Sequence, residues 1–576
     1  MSDLLAQISP AWPFIIAGLI AAPVRMSLVR KGLALMAPIA AFIIWMSVPS
    51  GDHTGGVIEL GPFVLETFRF DGLSRIWGLV FIIAGFINAI YGLHQKDRIE
   101  DVFGLIYAGA ALGAVFSGDL LTLFFFWELT AISSVFLIWA SRSAVSFKAG
   151  LRYLAIQVLS GVLLLTGAVF QVAETGSWAF NEIGLDGPGG IFIFLAFGIK
   201  AGFPLLHNWI QDAYPKATIV GTVMLSGFTT KLAIYALARG FAGTEILIWI
   251  GMIMTAFPVF FAVIENDLRK VLSYSLNNQL GYMVVGVGVG TELAINGAAA
   301  HAFVHIIYKG LLFMSMGAVL MRTGTAKASE LGGLYKSMPL TAVCCLIGAA
   351  AISAFPLFSG FVAKAMILSA LAYEASYHAI YFIPWVVLIF SSAGVLEHAG
   401  IKVPWFAFFA HDSKRRVREA PANMLIAMLI AAFLCIFLGV NYGVLYDLLP
   451  YGPSYEPYTG EHILTQMQLL MAAIFAFAFL VRMKWYPAEM KAENLDTDWI
   501  YRRLGDGFFR WLFSVTGRLT ASLANLWTTI RTRLGGRMFN AFSPMGALSR
   551  DIPSGLLAIW ASGLLAIVLI IAYLAP

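Results

Sequence analysis

Apolar runs of about twenty residues, the length a bilayer core demands, follow one another along nearly the whole chain. That repetition narrows the fold class before any motif is considered. Of the 576 residues, 60% are hydrophobic and only 12% charged, and the mean hydropathy is +0.82. A soluble core could not use so much apolar surface, and no soluble domain of normal size fits between the runs. The chain is expected to be an all-α polytopic membrane protein with about sixteen transmembrane helices. They centre near residues 17, 40, 83, 109, 129, 160, 199, 229, 254, 280, 307, 356, 388, 431, 473 and 564. The opening "MSDLLAQISPAW" carries an acid in place of a basic stretch and lacks a cleavage pattern, so the first span is expected to be retained.

Loop charges orient these spans. Lys and Arg concentrate on the cytoplasmic side of membrane proteins. With the N-terminus outside, the inside loops hold Arg25, Arg30 and Lys31; Lys96 and Arg98; Arg142, Lys148 and Arg152; Arg269 and Lys270; Arg322, Lys327 and Lys336; Lys402 and the run "SKRRVR" at 413–418; and Arg482 and Lys484. The outside loops are acidic, with Asp52, Glu59, Glu66, Glu174, Glu182, Asp186, Glu292, Glu374, Asp447, Glu456 and Glu461. Both termini are therefore expected on the exterior side of a bacterial cytoplasmic membrane. Residues 339–374 are too long for one straight span, since about 36 helical residues reach ~54 Å. We read them as one span broken at "AFPLFSG". The segment 497–539 sets arginines among Trp, Phe and Leu at helical intervals, as in an amphipathic helix along the cytoplasmic surface. A last span is expected at 553–575.

Two short stretches echo each other. "AGFPLLHNW" at 201–209 and "SAFPLFSGF" at 353–361 lie 152 residues apart, each with Phe-Pro-Leu inside an apolar run. Five spans separate them, an odd number, so corresponding elements cross in opposite senses. That is the mark of an inverted repeat, whose proline-interrupted helices line a transport site. Proline frees carbonyls that can bind water or ions. Lys200 precedes the first Phe-Pro-Leu and Lys364 follows the second.

Seven ionisable residues fall on expected spans: Glu128, Lys200, Lys231, His301, His305, Lys309 and Lys364. An isolated charge at mid-bilayer costs about 2.5–3.5 kcal/mol on insertion scales. Each must face a partner or water, or lose its charge. Burial disfavours the charged amine and a nearby carboxylate favours it, so moving an acid such as Glu128 relative to Lys200 would load and unload a proton. His301, His305 and Lys309 recur every fourth residue and share one helix face, a plausible wire toward Lys364. Structural pairing is the competing role for any one of these lysines. His207 and Asp212 suit capping or loop roles as well as functional ones. The three cysteines, Cys344, Cys345 and Cys435, lie inside apolar runs with no metal or haem spacing. No cofactor, bound metal or nucleic-acid partner is expected.

The motifs "FFFWELT", "IKAGFPLLHNWIQDAYPKA", "TTKLAIYALAR", "ENDLRKVLSYSLNNQLGYM", "AHAFVHIIYKGLLFMSMGAVL" and "FPLFSGFVAKAMIL" together resemble the antiporter-like subunits shared by Mrp cation/proton antiporters and respiratory complex I. The resemblance covers roughly residues 65–400 and leans toward the D-like group of the Mrp family. It implies fourteen core helices, two inverted five-helix repeats, discontinuous helices 7 and 12 and a central chain of ionisable residues. In that pattern Glu128 and Lys200 form the first-half pair and Lys231 the link. His301, His305 and Lys309 occupy the bridging helix, and Lys364 is the terminal site of the second half. The family's usual "LPDA" stands here as "IQDA" (210–213), and the following "AP" is Ala217-Thr218, which puts that loop's geometry in question. Two extra spans and the tail helix exceed an ordinary member of the D-like group.

The resulting expectation assigns 1–100 to spans 1–3, 101–241 to a first repeat, 242–400 to a second, inverted repeat, 401–484 to spans 14–15, and 485–576 to the amphipathic helix and last span. The function implied is proton movement in a multisubunit Na⁺(or K⁺)/H⁺ antiporter, a transporter more than an enzyme, with other membrane subunits, H⁺, Na⁺ or K⁺ and the lipid bilayer as partners. The alternative is an antiporter-like subunit of complex I or of a membrane hydrogenase; a component of an inorganic-carbon transporter is a further relative. A redox enzyme holding haem or quinone is disfavoured by the lack of a ligand set. Because basic and aromatic residues alternate in the tail, a cysteine at Asn525 is expected to resist a membrane-impermeant thiol reagent applied to intact cells. Labelling from the exterior would contradict the topology.

Overall fold

The computed structural model describes residues 6–49, 51–61, 63–452, 455–486, 494, 496–542 and 554–574. Twenty-one α-helices are named here in chain order. The first six are α1 (Trp12–Ala21), α2 (Ser27–Ser47), α3 (Gly72–Tyr91), α4 (Arg98–Val115), α5 (Leu120–Trp139) and α6 (Ala144–Thr175). Then come α7 (Pro188–Ala201), α8 (Asn208–Ala213), α9 (Ile219–Gly227), α10 (Thr229–Gly240), α11 (Ile246–Ile264), α12 (Leu268–Val289) and α13 (Glu292–Thr323). They are followed by α14 (Pro339–Ile352), α15 (Ser359–Tyr377), α16 (Phe382–Val395), α17 (Ala422–Val440), α18 (Tyr442–Tyr446) and α19 (Gly460–Arg482). The last two are α20 (Asp498–Phe542) and α21 (Ser554–Leu574). Two compact units result, residues 1–494 and 495–576. The second comprises α20 and α21; the end residues of the expected span 553–575 lie outside the described residues.

Ten helical stretches among the described residues are long and apolar enough to cross a membrane, and four shorter apolar helices accompany them. The chain is a mostly helical, integral multi-pass membrane protein. Polar loop residues start several of the helices. Asp71 and Ser74 form a capping box on α3, Asp119 caps α5, Ser143 and Ser146 cap α6, and Asp267 caps α12. Each satisfies backbone N–H groups that the first turn leaves unpaired. Helices α12 and α13 run through the middle of the first unit, and most of their residues are buried.

The all-helical expectation omits one element. Strands β1 (His53–Leu60) and β2 (Phe63–Phe70) form an antiparallel hairpin, with His53 opposite Phe70 and Leu60 opposite Phe63. In β2, Leu65, Phe68 and Phe70 turn inward while Val64 is exposed. Phe68 and Phe70 keep a strand's period of two, but Leu65 and Phe68 are three apart, and so partial an alternation is easily lost among apolar spans. Phe70 stacks on Phe116 at 5.9 Å, and Phe68 meets the same ring edge-on at 5.6 Å. The Arg69 N–H donates to Phe116 O, and the Gly118 N–H to Glu66 O, tying β2 to the α4–α5 turn.

Three charges placed in loops by the sequence are buried. Arg30 donates to Asp101 at 2.9 Å, and Arg269 donates to Ala217 O at 3.1 Å and to the Thr222 hydroxyl. Lys402 is 1% exposed and lies in a π-helical turn, Leu396–Lys402. Its ammonium donates to Val263 O (2.5 Å) and Glu265 O (2.8 Å). Helix α11 ends there with unpaired carbonyls, which draw the lysine inward.

Both Phe-Pro-Leu stretches interrupt their helices, and the backbone does so in the same way. At the first, Gly202 and Leu205 have φ of +78° and +69°; at the second, Ala354 and Leu357 have +58° and +71°. The Phe203 N–H donates to Gly198 O at 3.0 Å, and the Phe355 N–H to Ala350 O at 3.1 Å. Proline cannot continue the ladder, and the left-handed residues on either side turn the chain out and back. For non-glycine residues this conformation costs about 1–3 kcal/mol, so packing must hold it. A Cβ on Gly202 would also come within 2.7 Å of Asn277 Oδ1. Gly202→Ala is therefore expected to lower the thermal midpoint of the detergent-solubilised protein, whereas Ala354→Gly, which relieves strain, raises it or leaves it unchanged.

Candidate functional site

The seven residues singled out above sit on α5, α7, α10, α13 and α15 around the two breaks. Glu128 is half-buried on α5, while Lys200, Lys231, His301, His305 and Lys309 are 0% and Lys364 2% exposed. Lys200 occupies the last turn of α7. Its ammonium donates to Trp127 O (2.6 Å) and Thr130 Oγ1 (2.8 Å) and lies 4.3 Å from the Trp127 ring centroid. It thus grips the turn of α5 that carries Glu128. The carboxylate itself is not within ion-pair distance: among the described residues Glu128 and Lys200 form no salt bridge, and Glu128 Oε1 is buried without a hydrogen-bond partner. The carboxylate lies where a Cβ on Gly161 of α6 would stand. The expected couple is thus a pair of neighbours, with the lysine held by backbone and hydroxyl.

The other two lysines at interruptions show a shared arrangement. Helices α9 and α10 are separated at Phe228, and Lys231 donates to Ser226 O at 2.6 Å, with Thr230 Oγ1 at 3.3 Å. Lys364 donates to Ile352 O, the last residue of α14, at 2.6 Å. In each case the ammonium takes a carbonyl at the C-terminal end of the preceding helix, the negative end of its dipole.

Between the breaks runs a polar line that the sequence reading left out. Asn277, Asn278 and Gln279 are consecutive amides inside α12, all 0% exposed. Asn277 abuts Gly202 at the first break, and both its side-chain polar atoms lack partners among the described residues. Gln279 Nε2 donates to Asn278 Oδ1 at 2.6 Å. His301 Nε2 lies 2.9 Å from the Tyr308 hydroxyl and 3.3 Å from Gln279 Oε1, and that hydroxyl donates to Gln279 Oε1 at 3.2 Å. The Tyr282 ring stands 6.0 Å from the His301 ring and 5.3 Å from the Lys364 ammonium. Tyr282 thus joins the second break to α13. His305 stacks edge-on to both His301 and Tyr308. Neither its ring nitrogens nor Lys309 Nζ has a hydrogen-bond partner among the described residues. The sequence signal for the amides was present in "SYSLNNQLGY", since three adjacent amides in an apolar span are as costly to bury as a charge is conspicuous. His398, 0% exposed in the π-helical turn, was also missed.

Asp212, beyond the end of the first break, pairs with Arg152 at 2.7 Å and with Lys216. Burial alone would raise its carboxyl, but the two cations bring it down to about 2, so it is ionised throughout the physiological range. Among the described residues no three His, Cys, Asp or Glu side chains gather closely enough to hold a metal ion, and the three cysteines are free and buried.

The site is thus a pair of broken helices with a buried line of amides, imidazoles and amines between them. Residues 117–396 match the family described as NADH:quinone oxidoreductase/Mrp antiporter, transmembrane. The chain is 30% identical over 453 residues to the A-type component of the Na(+)/H(+) antiporter of Alkalihalophilus pseudofirmus, covering 68% of this chain and 55% of that protein. It is 33% identical over 325 residues to the D-type component from the same organism, covering 52% and 65%. Hydrogenase-4 component B of Escherichia coli is 28% identical over 334 residues, covering 52% and 50%. The chain thus spans between half and two thirds of the length of these relatives. In fold it is similar to a chain of the Mrp complex from a Dietzia species (TM-score 0.78, 22% identity, covering 93% of this chain and 62% of that one). A chain of the archaeal membrane-bound sulfane sulfur reductase is similar too (TM-score 0.69, 20% identity, 98% and 99%).

The position of Gly161 yields a test that alters no ionisable group. Gly161→Val is expected to displace the Glu128 carboxylate and to slow ion-coupled transport in vesicles about tenfold, equivalent to ~1.4 kcal/mol of barrier, with the assembled amount unchanged on a native gel.

Proposed function

We propose that the chain is a proton-translocating subunit of a multisubunit monovalent cation/proton antiporter in the bacterial cytoplasmic membrane. One observation carries this reading: from Lys200 to Lys364 the interior at both helix breaks is filled with buried amines, imidazoles and amides, several without protein partners among the described residues. In a low-dielectric interior each unpartnered group costs free energy, and a route for protons gives such groups a use. The likeness to the A-type and D-type components of a Na(+)/H(+) antiporter supports the same assignment.

In this mechanism Glu128 and Lys200 receive a proton at the first break. Lys231, His301, His305 and Lys309 pass it across the middle, and Lys364 delivers it at the second. Movement of Glu128 over Gly161 changes the field at Lys200, and each lysine alternates between an ammonium that grips a carbonyl and an amine that releases it. The proposal includes sixteen spans, two inverted five-helix repeats (101–241 and 242–400) flanked by spans 1–3 and by 401–484, both termini outside, and α20 along the cytoplasmic surface. The repeat is supported by the equal backbone turns at residues 202–205 and 354–357. Other membrane subunits are the expected partners, with Na⁺ or K⁺ as the exchanged ion.

A second reading, a proton-pumping subunit of a redox complex, is favoured by the relation to Hydrogenase-4 component B. Pull-down of the tagged chain from its native membrane separates the two, through nickel–iron or flavin subunits on one side and small antiporter subunits on the other. Lys364→Ala and Glu128→Ala are each expected to abolish coupled transport while assembly persists. Normal transport in vesicles bearing either variant would refute the roles assigned.

A further inference from the structure

Away from the Lys200–Lys364 line, two cavities share Asn88 on their walls. The larger, about 50 Å³, is also lined by Lys31, Gln95, Glu100 and Asp101. The smaller, about 20 Å³, has Asn88 on its wall together with Gly227, Ile306, Gly310 and Met314. At ~15 Å³ for each water, they offer room for about three molecules and one.

The polar groups on these walls are not spent on the fold. Asn88 is 5% exposed, and its Oδ1 has no hydrogen-bond partner among the described residues. Glu100 is 6% exposed. One of its oxygens accepts from the Gly221 N–H at 3.1 Å and from the Thr218 hydroxyl. The other accepts nothing from the described residues. Asp101, by contrast, is fully engaged by Arg30 and Lys31, which leaves Glu100 as the carboxylate with capacity to spare. At the inner end a Cβ built on Gly227 would meet nothing within 4 Å, and one on Gly310 only Val223 at 4.0 Å. Gly310 follows Lys309 in sequence, and Gly227 follows Ser226, whose carbonyl holds Lys231.

We propose that these cavities form an additional proton inlet to the Lys231–Lys309 region, independent of Glu128. It rests on the proton-transfer reading above. Glu100 takes a proton from water at the loop end. The protonated carboxyl then gives it to the water file that Asn88 orients, and the neutral Lys309 amine accepts it, so one proton moves and Glu100 returns to its carboxylate. Apart from Asn88, only apolar side chains and two glycines line the small cavity, which makes it the narrow point of the route.

The test uses the full chain with its partner subunits in membrane vesicles. Asn88→Cys, and Ala89→Cys on the same wall, should react with a small cationic thiosulfonate reagent, against the low background of three buried native cysteines. Gly310→Ile, which fills the small cavity, should slow transport about tenfold with assembly intact. Inert cysteines at both positions, or a full transport rate in Gly310→Ile, overturns the inlet. If Lys309→Ala and Lys364→Ala abolish transport while Gly310→Ile does not, the inlet alone fails. A full rate in Lys309→Ala would remove the reading on which it rests.

Discussion

An α-helix satisfies its own backbone, which is why it can cross lipid; interrupting it mid-membrane leaves carbonyls that need donors. Much of this structure follows from that need. The first unit interrupts its helices at Phe203–Leu205, Phe228 and Phe355–Leu357, and a lysine stands beside each interruption. Lys231 and Lys364 bind the loose helix ends directly, and Lys402 does the same for the end of α11. Lys200 reaches across to α5 instead. A neutral donor would satisfy a carbonyl equally well. A lysine differs in that it carries a charge, which burial disfavours and a bound carbonyl helps to hold.

Helix α12 connects these sites. It passes Asn277 beneath the first break, sets Gln279 against His301 and Tyr308, and presents the Tyr282 ring to Lys364 one turn later. Three of its side chains thus span the interval between the Phe-Pro-Leu stretches. α13 lies alongside with its two histidines and Lys309. The couplings within this line are amide and hydroxyl contacts together with ring packing, and few involve opposite charges in contact. The low dielectric makes such bonds strong while sparing the desolvation penalty of a buried ion pair.

How much of this was legible in the sequence depended on the kind of signal. Glu128, Lys200 and Lys364 stood out because charge is rare in apolar runs, and the two breaks because proline leaves a fixed mark on a helix. The amides of α12 gave a signal as costly in free energy but without formal charge, and it was read only as part of a family motif. Lys402 was misplaced because a lysine near a run's end suits a loop as well as a helix cap, and only the position of α11 decides between them. The β1–β2 hairpin was hidden because its inward residues, Leu65, Phe68 and Phe70, alternate only in part. The missing contact between Glu128 and Lys200 depends on the side chain's resting place above Gly161, which no spacing encodes.

The length of α20 sets a limit of its own. Forty-five consecutive helical residues extend ~67 Å at 1.5 Å per residue, more than twice the ~30 Å of a hydrocarbon core. Standing upright, such a rod would carry its arginines through the most apolar layer of the bilayer. Lying flat, it would keep Arg503, Arg510, Arg518, Arg531, Arg533 and Arg537 out of that layer, and those nearest an anionic leaflet would each gain about 1 kcal/mol. A tail held by such charges would bind a membrane less firmly as ionic strength rises, because salt screens exposed charges.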